Sequence, residues 1–246
     1  MQKIPIKIKN GLTERQKLIL KNLIESYIKD GQVVSSEKLR QIIPLSISSA
    51  TIRIELVNLR NQGLIYHPHT SSGCVPTDAG YRYFIDSIMN ERELDLREKE
   101  KLTRQLSYLT NEHNKLIKTT VRLLSDESAN IALGTLPNGE IYYYGIANLL
   151  RYIDSDFMES ALDAIEAIDN FEQYRDLLSS ELDGRKVYIG RENPIKEMDN
   201  YTMLISDYKI KNWGRGVICV IGSKRMPYQK VIPLLTYVSD FLSGRI

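Results

Sequence analysis

"SSATIRIELVNLRNQGLIYHPHTSSGC" (residues 48–74) sets a polar helix start directly beside a polar loop. Ser48 is suited to cap a helix. Ile52, Leu56 and Leu59 then follow at i, i+4 and i+7, the spacing of one buried helical face. Gly63 is placed to end that helix. Leu64, Ile65 and Tyr66 read as a short strand, and Pro68 to Pro76 as the tip of a hairpin. Thr77 can cap whatever helix comes next.

Upstream, Thr13 with Gln16 three residues on forms a capping box, and Leu20, Leu23, Ile24, Tyr27 and Ile28 recur at helical spacing until Gly31. A second helix starts near Ser35 or Ser36, runs through Leu39, Ile42 and Ile43, and stops at Pro44. Three helices followed by a hairpin is the order of a winged helix-turn-helix, whose third helix enters the major groove. Ser48, Ser49, Thr51 and Arg53 then sit on exposed N-terminal turns. Free N–H groups there can hold a phosphate, and the hydroxyls and Arg53 can reach phosphates or base edges. The alternative is that the serines only cap the helix and Arg53 is only solvated. Small helical domains of this order also mediate protein contacts.

The charge distribution fits either the first reading or chance surface charge. The net charge of +2 divides into 12 Lys/Arg against 7 Asp/Glu over residues 1–88, and 21 against 24 over residues 89–246. A basic first part joined to a slightly acidic remainder suits a nucleic-acid reader attached to something else. The two cysteines, Cys74 and Cys219, lie too far apart in sequence for a metal-ligand spacing or a disulfide framework, which suggests a reducing compartment. The first residues lack a signal-peptide core, and no apolar run is long enough to span a bilayer, so the expected location is the cytoplasm.

Residues 78–124 read as one long charged helix with a break near Asn90. Leu102, Leu109, Leu116 and Leu123 fall at a strict seven-residue interval, the seam of a coiled coil. The companion positions Leu106, His113 and Thr120 are poor, so packing of these leucines on their own domain competes with a dimer seam. Beyond Ser125 the pattern is α+β. Strand-like segments flank Pro137-Asn138-Gly139, a long amphipathic helix covers residues 156–182, and "KVYIG", "YTMLISDYKI" and "GVICVIG" read as strands before a closing helix that contains Pro233. No catalytic constellation stands out, and neither an enzyme nor a cofactor is expected. His67, His69 and His113 lack further ligands at metal spacing. "GREN" (190–193) is either a ligand-binding edge or a structural turn. "SKRM" (223–226) is either an anion site before a helix or a charged loop. Cys74, on an expected exposed loop, is a weak candidate for oxidation.

Several of these segments also resemble a known family. "SSATIR" (48–53), "GLIYHPHTSSG" (63–73), "PTDAGYRYFID" (76–86) and "LTERQKLILKNLIESYIKDGQVVSS" (12–36) are similar to HrcA, the bacterial heat-inducible transcription repressors of chaperone operons. "YGIANLL" (144–150), "VYIGREN" (187–193) and "GVICVIGSKRMPYQKVIPLLTYVSDFLS" (216–243) resemble that family's closing segments. The resemblance implies a homodimer that binds double-stranded DNA at an inverted-repeat operator (the CIRCE element), is kept active by the GroEL-type chaperonin, and is released on heat stress. It also implies a winged-helix domain, a GAF-like domain and an inserted dimerisation domain. The sequence departs from that pattern in three ways. Ile54 stands where the family has Asn, Cys74 where the wing has Arg, and the chain is shorter by about a hundred residues, roughly the size of one small domain, so the inserted dimerisation domain and part of the GAF-like sheet are expected to be absent.

The expected fold is α+β, with an N-terminal winged helix-turn-helix (1–88), a long linker and dimerisation helix (89–125), and a reduced GAF-like α+β domain (126–246). DNA contact is assigned to Ser48, Ser49, Thr51, Arg53, Ile54 and Asn58, to His67, His69, Thr70, Ser71 and Ser72 of the wing, and to Arg82. Dimer contact is assigned to Leu102, Leu109, Leu116 and Leu123. The alternative function is a ligand- or chaperone-binding sensor with weakened or altered DNA specificity.

Overall fold

The computed structural model describes residues 11–44, 47–68, 73–150, 158–174, 178, 182 and 184–246. The chain forms two compact units, Met1–Asn90 and Glu91–Ile246.

In the first unit, α1 (Glu14–Asp30) begins at the expected capping box: the Gln16 N–H donates to Thr13 Oγ1 at 3.2 Å and the Thr13 N–H to Gln16 Oε1 at 3.1 Å. Gly31 ends it in the left-handed region. α2 (Ser36–Ile42) is capped by Ser35, and α3 (Ser49–Asn61) by Ser48. Ile52, Leu56 and Leu59 are buried, as their spacing required. Gly63, at φ +75°, turns the chain out of α3 while the Leu64 N–H donates back to Leu59 O at 3.1 Å, which satisfies a carbonyl that the helix end would otherwise strand.

β1 (Ile65–Tyr66) and β2 (Val75–Pro76) pair antiparallel with Ile65 opposite Pro76. Val34 joins them, exchanging backbone hydrogen bonds with Cys74 at 2.9 and 3.0 Å. Thr77 caps α4 (Asp78–Tyr83), and its hydroxyl also donates to Gly63 O at 2.6 Å, tying the end of α3 to the start of α4. Gly80 lets α4 lie against the strand entry, since a Cβ there would stand 2.1 Å from Leu64 O. A single π-helical turn, Phe84–Ile88, closes the unit.

One buried carboxylate orients α3 within this unit. Glu55 is 6% exposed and points from α3 toward α1. Its carboxylate accepts from Arg15 Nε at 2.9 Å, Gln16 Nε2 at 3.0 Å and Asn58 Nδ2 at 3.2 Å. Gln16 therefore serves two ends: its carbonyl oxygen completes the α1 cap while its amide donates to Glu55. Burial alone pushes the Glu55 pKa up. The hydrogen bonds from Gln16, Asn58 and Arg15, with the Arg15 charge, outweigh that penalty and hold it below the ordinary glutamate range.

The second unit is built on a five-stranded antiparallel sheet in the order β4-β3-β7-β6-β5. Its strands are β3 (Ile131–Thr135), β4 (Ile141–Tyr144), β5 (Arg185–Ile189), β6 (Tyr201–Ile210) and β7 (Gly214–Ser223). The turn expected at Pro137-Asn138-Gly139 forms a hairpin, and a second hairpin turns between Ile210 and Gly214. β6 and β7 are largely buried on both faces because both faces are covered. α7 (Ile146–Leu150) and α8 (Met158–Asp169) supply Leu149, Ala161, Ala164 and Ile168 to the core that includes Met203, Ile205 and Cys219. α5 (Leu96–Leu106), α6 (His113–Ser128) and α9 (Tyr228–Leu242) pack on one another and on the opposite face. There Tyr228 OH meets Thr202 Oγ1 at 2.9 Å, and Ser239 meets Ser206 at 2.9 Å.

The break expected near Asn90 in the long helix over 78–124 is present, and a second, unexpected one follows it. The helical turns stop at Ile88, and the chain restarts at α5 under a second capping box, Asp95 with Glu98. A 3-10 turn, Ser107–Leu109, then separates α5 from α6. The supposed linker thus belongs to the second unit. The leucine seam is corrected with it: Leu102, Leu109 and Leu116 are buried inside their own unit and Leu123 is half-buried. The competing reading, packing of these leucines on their own domain, is the one the structure supports. The helix expected over 156–182 is described as α8, which ends at Asp169, and much of the remainder lies outside the described residues.

Two outcomes follow. Leu109→Glu or Leu116→Glu should destabilise the second unit by several kcal/mol, since each buries a charge without a partner. Circular dichroism melting reads this, and a variant that melts like the parent but scatters light as a smaller species would restore the exposed seam. For Glu55, the depressed pKa means that its stabilisation is complete at neutral pH and is lost as the pH falls through the acid range. Glu55→Gln places an amide against three donors and should cost about 1–3 kcal/mol at pH 7. The gap between variant and parent should narrow on acidification, and an equal gap at every pH would contradict the account.

Candidate nucleic-acid interface

With its stripe of Ile52, Leu56 and Leu59 turned inward and Glu55 clasped, α3 presents a defined outer face. Ala50, Arg53, Ile54, Val57 and Asn61 are all exposed and recur at i, i+3, i+4, i+7 and i+11. Ile54 is 62% exposed and Val57 is 44% exposed, high values for aliphatic side chains. Arg60 is exposed on the flank. This face carries cationic, amide and apolar groups within one groove-sized element, the means by which helices read base edges.

Of the residues assigned to DNA from sequence, the structure brings Arg53 and Ile54 onto that face. Arg53 Nε lies 3.4 Å from Ser36 Oγ, which steadies the guanidinium against the start of α2. Ser48 is exposed at the helix entrance, where its Oγ accepts the Thr51 N–H at 3.0 Å and meets Thr51 Oγ1 at 2.9 Å. Ser49 Oγ donates to Glu37 Oε2 at 3.1 Å. Glu37 also pairs with Arg40 at 2.6 Å, and the hydrogen bonds from Arg40 and Ser49 hold its carboxyl below the usual range. The helix-entrance hydroxyls therefore build the α2–α3 turn as well as edging the face.

Asn58 departs from its expected place: it is half-buried and turned to Glu55, on the flank between the inner and outer faces. Arg82 lies on α4, paired with Asp86 at 3.2 Å. His67 Nδ1 donates to Gly73 O at 2.7 Å, bracing the base of the wing across the loop. His69, Thr70, Ser71 and Ser72 lie outside the described residues.

Cys74 also differs from its expectation. It is buried beneath the wing, 3.6 Å from His67 Nε2, rather than displayed on it. Burial pushes its thiol up, and the charge of Arg60 offsets only part of this, so the thiolate that oxidation requires is disfavoured. Sequence reasoning missed Ala50, Val57 and Asn61. The same helical projection that located the buried stripe places them opposite it.

The other candidate sites are knit into the fold. Asn193 of "GREN" is buried, with its amide directed at the carbonyls of Gly190, Met198 and Tyr201 at 2.8, 2.8 and 2.9 Å, a structural turn. The "SKRM" loop is drawn together by Tyr228 OH donating to Lys224 O at 2.8 Å. Among the described residues, no group of His, Cys, Asp and Glu is placed to hold a metal ion, and no helix is long and apolar enough to cross a membrane.

Comparison with known proteins agrees with this geometry. Residues 11–89 match the family model for the winged helix-turn-helix transcription repressor, HrcA DNA-binding domain, and residues 82–232 match the model for the HrcA protein C-terminal domain. The heat-inducible transcription repressor HrcA of Lactobacillus acidophilus is 23% identical, with 96% of this chain and 97% of that protein covered. The HrcA of Lachnoclostridium phytofermentans is 24% identical, with 91% and 94% covered. The first of these alignments runs over 340 positions against a chain of 246 residues, so in total about a small domain's worth of the relative's residues has no counterpart here. A crystal structure of a hypothetical protein superposes with a TM-score of 0.74 at 18% identity, covering 95% of this chain and 97% of that one, and shares the fold. Matched in both of its units, the chain belongs to the HrcA family of heat-inducible transcription repressors.

Proposed function

We propose that this chain represses a stress-inducible chaperone operon in the cytoplasm by binding an inverted-repeat operator as a homodimer. In this reading α3 enters the major groove by its outer face, and the wing, with His67, His69, Thr70, Ser71 and Ser72, follows the adjacent backbone. Ser48, Ser49 and Thr51 stand where the helix entrance meets a phosphate, and Arg53 reaches a base edge or a phosphate. The observation that carries the reading is the exposed α3 face, held at a fixed angle by the Glu55 clasp, in a chain of a repressor family.

Binding as a dimer follows from the symmetry of an inverted repeat, where two heads sit one helical turn or a multiple apart. Because Leu102, Leu109 and Leu116 are buried within the unit, the contact between subunits uses another surface. The same reading includes coupling to a GroEL-type chaperonin and release on heat stress, as the family resemblance implies.

Arg53→Ala should weaken operator binding by about 1–3 kcal/mol if the guanidinium contacts a base, with relaxed preference at one position of each half-site. If it contacts a phosphate instead, the loss is even across sequences and the salt slope falls by about one. Fluorescence anisotropy over a salt series separates the two. Unchanged affinity and slope would remove Arg53 from the interface.

A further inference from the structure

We propose that Ile54 and Val57 are specificity-determining residues that read the methyl groups of thymines in the operator's major groove. The inference rests on the DNA-binding reading above and adds to it the chemistry of the base edge. Ile54 and Val57 are 62% and 44% exposed, and both lie in the outer stripe of α3. Neither can donate or accept a hydrogen bond. Against guanine, adenine or cytosine edges they would strip water from polar atoms without replacing it, which is unfavourable. The thymine C5-methyl is the apolar group that the major groove offers, and an aliphatic side chain packs against it.

The surroundings fit that partner. Ala50, one turn before Ile54 on the same face, is small and leaves room for the helix to approach. Arg53 and Arg60 flank the apolar pair with positive charge, which suits a duplex rather than a neutral protein surface. Three residues of α-helix rise about 4.5 Å, against about 3.4 Å between stacked bases, so Ile54 and Val57 span one base step. A half-site with thymines at neighbouring base pairs, on either strand, follows.

The test uses the full chain. The preferred site is first selected from a random duplex pool. Each thymine in it is then replaced by deoxyuridine, which removes only the methyl, and affinities are measured for the parent, Ile54→Ala and Val57→Ala. Both side chains are exposed, so the variants should melt like the parent, which circular dichroism checks. We expect two thymines per half-site at which deoxyuridine weakens the parent about fourfold, the worth of one buried methyl. Ile54→Ala should be insensitive at one of them and Val57→Ala at the other. A selected site bound tightly by the parent, with no deoxyuridine effect that either variant abolishes, overturns this inference and leaves the repressor reading standing. Selection that enriches no sequence overturns both.

Discussion

Glu55 accepts hydrogen bonds from Arg15, Gln16 and Asn58 while almost wholly buried, and the orientation of α3 within the first unit depends on it. A hydrophobic stripe by itself tolerates some rotation of a helix, because the hydrophobic effect is not directional. A carboxylate held by two aimed donors from α1, Arg15 Nε and Gln16 Nε2, does not. Gln16 links this clasp to the start of α1, since the amide that donates to Glu55 belongs to the same side chain that completes the Thr13 capping box. The helix start, the interhelix angle and the direction of the outer face thus share one short network.

α3 accordingly divides its circumference by chemistry. Ile52, Leu56 and Leu59 fill the core, Glu55 ties α3 to α1, and Arg53, Ile54 and Val57 lie on the outer face. The hydroxyls at its entrance bind within the protein first, to Thr51 and Glu37, which orders the turn that a phosphate would meet. The second unit is closed in a different sense. Helices cover both faces of its sheet, and the leucines that might have joined two chains are used to hold α5 and α6 in place.

Most of the first unit was legible because its signals are local. Thr13-Gln16, Ser35, Ser48 and Thr77 all cap the helices that follow them, and Gly31 and Gly63 take the positive φ that ends a helix. The leucine seam misled because a repeat of 3.5 and a period of 3.6 cannot be told apart over helices of 11 and 16 residues. Asp95 and Glu98 did mark the restart of a helix, but the strong charge pattern around them masked it. Cys74 was misplaced for a different reason: its burial comes from the bridge to Val34, a pairing across forty residues that no local pattern encodes. Val57 was overlooked although the stripe of Ile52, Leu56 and Leu59 already places it on the opposite face, because the search for DNA contacts there favoured polar side chains.

The family membership and the exposed α3 face meet in one claim, that this chain recognises a particular symmetric DNA sequence. Footprinting the purified full-length chain on fragments of its own genome tests that claim most directly. The account predicts one enriched inverted repeat, with protected half-sites one helical turn or a multiple apart and major-groove protection at their centres. Protection without sequence preference, or an enriched site lacking two-fold symmetry, would contradict it.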